Sequence, residues 1–481
     1  MKRRSRDVLL GLLLALVVFL VAAQVTVTLV AERKHAARAT QLQTPAVAQE
    51  YERPASARAD AESAPAGTSE PAGVSDDAVE TVQVYAEFWT DFKERLWGSA
   101  EKQQDWEKIR AICQKRLRDL SDEDIEKLRA FLTANRDLLS RLKEAAALDG
   151  PLCVPQIDSR GYDIGCSPYY DFYRPTGAVL AAAVLVAASE NRYDLVWESL
   201  LTGIRLAEAA AHVPAFSPHT YWHNSYSMVL GLVEQQLPVG VLPGDVVAQL
   251  ITRLETAKDR RQFTELLTGT SWESVILLDA LRHDDRAVLN SSYLDRDVSL
   301  LMRLRDTPLG KPWLDLFWLD REDEAAAELA QRIPPLALRP YWEAMDELRE
   351  MEARLPRLTP LARRDISVAT FLLADGAHFE ASLDVARIGL LVEQYHGRHG
   401  SYPESLGAVQ DGLGGTVPID PCTGEPFHYR PSDTGFTLYS VGLDLMDDGG
   451  TMGESYSYYA GDIVWRQRFE DDDADGAEAT D

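Results

Sequence analysis

Basic side chains are in short supply in this chain. Lysine and arginine number 49 against 76 aspartates and glutamates, a formal net charge of −27 over 481 residues. Phosphate recognition needs a basic footprint, so this balance argues against nucleic acid as a partner. The acidic surplus suits solubility, cations or basic partners. Cysteine is scarce, with four residues, and none of them forms a Cys-x-x-Cys pair. Catalytic signatures are missing as well: there is no Gly-x-Ser-x-Gly elbow, no His-Glu-x-x-His and no complete phosphate loop. Without such a set the sequence points away from an enzyme.

Several fragments come near to chemistry and stop short. Leu309-Gly310-Lys311-Pro312 lacks the remaining glycines and the hydroxyl of a phosphate loop. Ser99-Ala100-Glu101-Lys102 matches Ser-x-x-Lys, a two-position pattern that arises by chance, and its companion motifs are absent. His219 and His223, and likewise His396 and His399, are spaced for one helix face, yet no third metal ligand lies near either pair in sequence, which favours polar surface histidines. Trp313, Phe317 and Trp318 read as helical core rather than a sugar groove.

Only one long hydrophobic run exists. Lys2, Arg3, Arg4 and Arg6 precede an apolar stretch from Val8 to Val30, and 23 helical residues span about 35 Å, enough for a bilayer core. The basic start predicts an inside N-terminus and an exported bulk, that is, a single-pass protein of the inner (cytoplasmic) membrane. The rival reading is a cleaved signal peptide with Val21-Ala22-Ala23 as its small-residue site. Both place the rest of the chain outside the cytoplasm. There Cys153 and Cys166, flanking a stretch with Pro155, Gly161 and Gly165, are candidates for a disulfide, the alternative being two buried thiols. Cys113 falls in a helical pattern and reads as core.

Composition divides the chain into residues 1–30, the basic start and membrane anchor; 31–79, an Ala/Pro/Ser/Glu/Thr linker too poor in apolar groups to offset ordering entropy; 80–374, an irregular α-helical domain; 375–469, a small α+β module; and 470–481, an acidic tail. The fold class is therefore mainly α. Val82, Tyr85, Trp89, Phe92 and Leu96 make an amphipathic stripe. A helix is predicted from the N-cap Ser121 to Ala147. Thr176–Ser189 and the stretch from Asp194 to about Ala211 resemble one tetratricopeptide-type hairpin. Ser217-Pro218 opens a helix to about Gln236, and Leu242–Lys258 and Gln262–Leu281 continue the pattern. No strict repeat period emerges. This pattern resembles a set of uncharacterised bacterial envelope proteins with Ala/Leu-rich helical hairpins.

The texture changes near Asp375. Ile388, Leu391, Val392 and Tyr395 form a helical stripe ended by Gly397 and Gly400. Gly400-Ser401-Tyr402-Pro403, a short turn over Glu404–Val409, and Asp420-Pro421-Cys422-Thr423-Gly424 follow. Phe427–Arg430 alternates as a strand, Ser432–Gly435 is a hairpin turn, Phe436–Ser440 is a second strand and Asp462–Trp465 a third.

This order of residues resembles the C-terminal domain of the type II secretion major pseudopilin over about a fifth of the chain. The resemblance implies strands packed on the helix and a calcium ion fastening the last loop, with Asp444 and Asp462 at the family's ligand positions. The residues carry the same chemistry: Asp444, Asp447, Asp448 and Asp462 share a segment with Gly442, Gly449, Gly450, Gly453 and Gly461, and calcium requires about six to eight oxygens. The family's peptidase site and early membrane glutamate are absent, and about 340 residues separate Val30 from the module. The module is thus expected to be borrowed rather than part of a pilus subunit. The sequence-level expectation is a membrane-anchored interaction or scaffold protein with a protein partner in the envelope. Its alternatives are an exported hydrolase, with an active site near Tyr221–Ser227, and an accessory of a type II secretion-like machine.

Overall fold

The computed structural model describes residues 84, 87–88, 90–148, 173–211, 216–236, 242–258, 260–283, 307, 318–355, 359–451 and 460–465. The membrane run, the linker, Cys153 and Cys166, Leu309–Phe317 and the acidic tail lie outside the described residues. The described part is mainly helical with one small sheet. A π-turn, Lys93–Trp97, is followed by α1 (Ala100–Cys113), α2 (Asp122–Ala134), α3 (Arg136–Ala147), α4 (Tyr173–Ser189), α5 (Tyr193–Ala211), α6 (Phe216–Gly231), α7 (Gly244–Thr256), α8 (Arg260–His283), α9 (Leu319–Arg332), α10 (Tyr341–Arg354) and α11 (Pro360–His399). The sheet consists of β1 (His428–Pro431), β2 (Phe436–Ser440) and β3 (Ile463–Val464), with β2 central and both pairings antiparallel.

Local chemistry sets the helix ends. Ser121 caps α2 by accepting the Asp124 N–H, while the Asp124 carboxylate accepts the Ser121 N–H, a reciprocal box that satisfies two otherwise orphaned donors. The single helix expected from Ser121 to Ala147 is instead two, broken at Asn135, whose side-chain amide donates to the Phe131 carbonyl at 2.9 Å. Ser99 of the Ser-x-x-Lys match is the N-cap of α1, accepting the Lys102 N–H. The Ala-rich α4 packs between α5 and α2, and α5 pairs with α6. Cys113 is buried in this layer, as expected, and burial pushes its thiol up to about 12.

Two apolar cores are joined by α11. One is built from α8, α9, the 3-10 turn Pro334–Leu338, α10 and the first half of α11, including Ala362, Ile366, Leu372 and Leu373. The other joins α1–α7 to the second half of α11, from Phe379 to Val392, and to Phe427, Phe436, Leu438 and Trp465 of the sheet region. The junction read from composition at 374/375 falls inside this continuous 40-residue helix, at the point where it passes from one core to the other. Gly400, at φ 72°, closes α11 in the left-handed conformation that glycine adopts without penalty. Gly389 is needed for a different reason: the Trp465 indole lies so close that a methyl group there would overlap it.

Candidate functional site

At the crossover of the two cores, α6 and α11 bring together polar groups that the sequence keeps far apart. His223 on α6 is 3% exposed, and its Nδ1 pairs with a carboxylate oxygen of Asp375, itself buried. A carboxylate at Nδ1 fixes the orientation of an imidazole. The imidazole stacks on Phe379 with centroids 4.1 Å apart and planes at 15°, and Tyr226 meets the Phe379 ring edge-on at 5.6 Å. His378 lies one turn beyond Asp375 on α11. Burial brings it down to about 4, the Asp375 charge opposing and His223 adding to that shift, so its imidazole is neutral at physiological pH.

A pocket of about 50 Å³ opens beside His223, lined also by Lys258, Phe263, Arg339, Tyr341 and Glu380. Lys258 is held there by Asp384, at 2.9 Å, and Glu255, at 3.1 Å; Arg387 pairs with the same two carboxylates, at 2.7 Å from Asp384. Such mutual pairing is what allows charges to be buried between α7 and α11. The surface position expected for the histidines therefore fails for His223. The partner that buries it lies about 150 residues further along the chain, beyond any local spacing signal. The second pair does not share a ligand site: His396 stacks on Tyr402 at 4.2 Å, and His399 on Tyr395 at 4.0 Å. Trp318 is buried, in keeping with a core role.

Of the four aspartates expected to hold calcium, Asp444, Asp447 and Asp462 accept hydrogen bonds within the module. Asp462, buried, accepts backbone N–H groups from Asp448 (3.4 Å), Gly450 (2.6 Å) and Thr451 (3.2 Å). Asp444 accepts those of Met446 (3.1 Å) and Gly461 (2.8 Å). Asp447 turns towards the sheet, accepting the Tyr439 hydroxyl and the Gly449 N–H, both at 2.9 Å, and lies below the usual carboxylate range through these bonds. Burial raises Asp462 above that range, its three N–H donors opposing and the Asp448 charge reinforcing the shift. Among the described residues no three His, Cys, Asp or Glu side chains form a group able to hold a metal ion. In this arrangement Asp444, Asp447 and Asp462 each accept backbone N–H groups of the loop itself.

Fold and site together define a mainly helical protein whose small antiparallel sheet is mounted on a helix shared with the body. No family model, curated protein or solved structure matches this chain.

Proposed function

We propose that the protein is a membrane-tethered scaffold of a bacterial envelope, its helical body presenting the pseudopilin-like module to a protein partner. The observation that carries this reading is α11, which is built into the core of α8, α9 and α10 over Ala362–Leu373 and serves as the spine of the module over Phe379–Val392. A module grown from the body's own helix is held in a fixed orientation, as an interaction surface requires, and ordering it costs no additional entropy on binding. The apolar run Val8–Val30 supports the tether. A calcium ion in the terminal loop would require Asp447 to turn away from Tyr439.

A hydrolase is the second reading, favoured by the His223–Asp375 pair beside a pocket, an arrangement suited to general acid–base work. One preparation, residues 31–481 from the exported compartment, separates the two. Specific retention of an envelope protein on this chain, lost when residues 400–465 are removed, is the expected outcome, with the full-length chain sedimenting with membranes. Release of soluble products from wall polymer or peptide by the same preparation, lost in His223→Gln, transfers the conclusion to the hydrolase. Failure of the full-length chain to sediment with membranes removes the tether.

A further inference from the structure

Glu393 lies in the second half of α11, 8% exposed, with both carboxyl oxygens buried and no hydrogen-bond partner for either. Buried carboxyl groups almost always have a partner, and an ionised one without any pays the full cost of lost hydration. Its surroundings offer no compensation. The groups that face it are phenols, Tyr402 beyond the end of α11 and Tyr429 on β1, and both are shifted upwards, by burial first and by the Glu393 charge in addition. On its own helix His396 is turned onto Tyr402, and Gly389 is covered by Trp465, whose indole N–H is buried and equally without a partner. Of the other charged groups, Arg398 on α11, Asp245 on α7 and Asp411 in the 3-10 turn Leu406–Leu413 are exposed, while Arg387 and Lys258 are bound to Asp384 and Glu255. From β3, Ile463 and Val464 bring no titratable group.

This carboxyl sits under the corner that attaches the module to its helix. The Tyr429 hydroxyl donates to the Pro403 carbonyl at 2.8 Å, and Tyr402 and Tyr429 both pack on Phe436, at 5.3 and 5.8 Å. We propose that Glu393 is a proton-operated latch for this corner: protonated, it stays buried and keeps the Tyr402–Tyr429 face on α11; ionised, it favours the opened corner, where water reaches it. Burial puts the group at about 8, against 4.5 for a hydrated glutamate. A carboxyl raised in the closed state makes opening easier as pH rises through the interval between the two values, tenfold per pH unit, and the effect levels off above the higher one.

The test is amide hydrogen exchange on the intact chain between pH 5 and pH 9, expressed as protection factors to remove the intrinsic pH dependence of exchange. Protection over residues 400–440 is expected to fall about tenfold per unit up to about pH 8 and then to flatten. Glu393→Gln, of the same size and unable to ionise, removes the slope, and Glu393→Leu serves as a second non-ionising variant should the amide fail to fold. A flat profile in the wild type, or an unchanged slope in a folded non-ionising variant, overturns the latch.

Discussion

Asp462 accepts three N–H groups from residues 448–451 with two carboxylate oxygens, so one side chain ties that segment to the start of β3. Calcium sites of extracellular modules work at about 10⁻⁴–10⁻³ M, so a resident ion would be visible as a stability difference at millimolar calcium. With the loop closed by its own carboxylates, the intact chain is expected to melt at the same temperature in calcium and in chelator. Asp462→Ala is expected to cost about 1–3 kcal/mol in both buffers, because it removes the carboxylate that three backbone N–H groups share. A melting point raised by calcium in the wild type, and not in Asp462→Ala, would restore the ion and require Asp447 to release Tyr439. The sequence shows four aspartates and five glycines in this segment but not which oxygens face which amides, since an ion cage and a carboxylate-closed turn draw on the same residue types.

Among the described elements, α11 has its start supplied from elsewhere. Thr359, at its N-cap, makes no side-chain cap bond; instead Glu322 of α9, fully buried, accepts the Leu361 N–H at 3.3 Å and the Ala362 N–H at 3.2 Å. An acidic group at the positive end of a helix is favourable, yet burial outweighs that here and lifts Glu322 to about 7. Glu322→Ala is expected to lower stability by about 1–3 kcal/mol in urea titrations, through two uncapped buried donors; an unchanged midpoint would show that α11 starts without help. This is also where legibility ends. The N-cap Ser121, the buried stripe over Ile388, Leu391 and Val392, the Gly400 stop and a strand starting near Phe427 rest on local patterns, and the structure has each of them; the burial of β1 does not alternate, and Gly397 lies within α11. What was not legible depends on partners remote in sequence: Glu322 under α11, Asp375 against His223, and the passage of α11 without interruption through the junction read from composition.

For the molecule as a whole, one helix in two cores means that neither core can lose its packing alone. Leu372→Ala in the core of α8–α10 and Ile388→Ala in the core of α1–α7 are therefore expected to shift a single calorimetric transition, each by about 2–5 kcal/mol. Two separated transitions, each sensitive to only one of the substitutions, would show the cores to be independent. The buried acids set the pH trend of that transition. Glu322 and Glu393, raised to about 7 and about 8 from 4.5, favour the native state at low pH and lose that advantage as pH rises through 4.5 to 8. His378, lowered to about 4 from 6.5, acts in the opposite sense as pH falls below 6.5. With two groups against one, and the larger summed shift on the acid side, the chain should be more stable at pH 5.5 than at pH 8.5. The unbroken course of α11 has a mechanical meaning too. Tension applied at the C-terminal end runs along the helix axis into the far core with no hinge to absorb it, so yielding should begin at the two-residue strand β3 and the Trp465 wedge rather than between body and module.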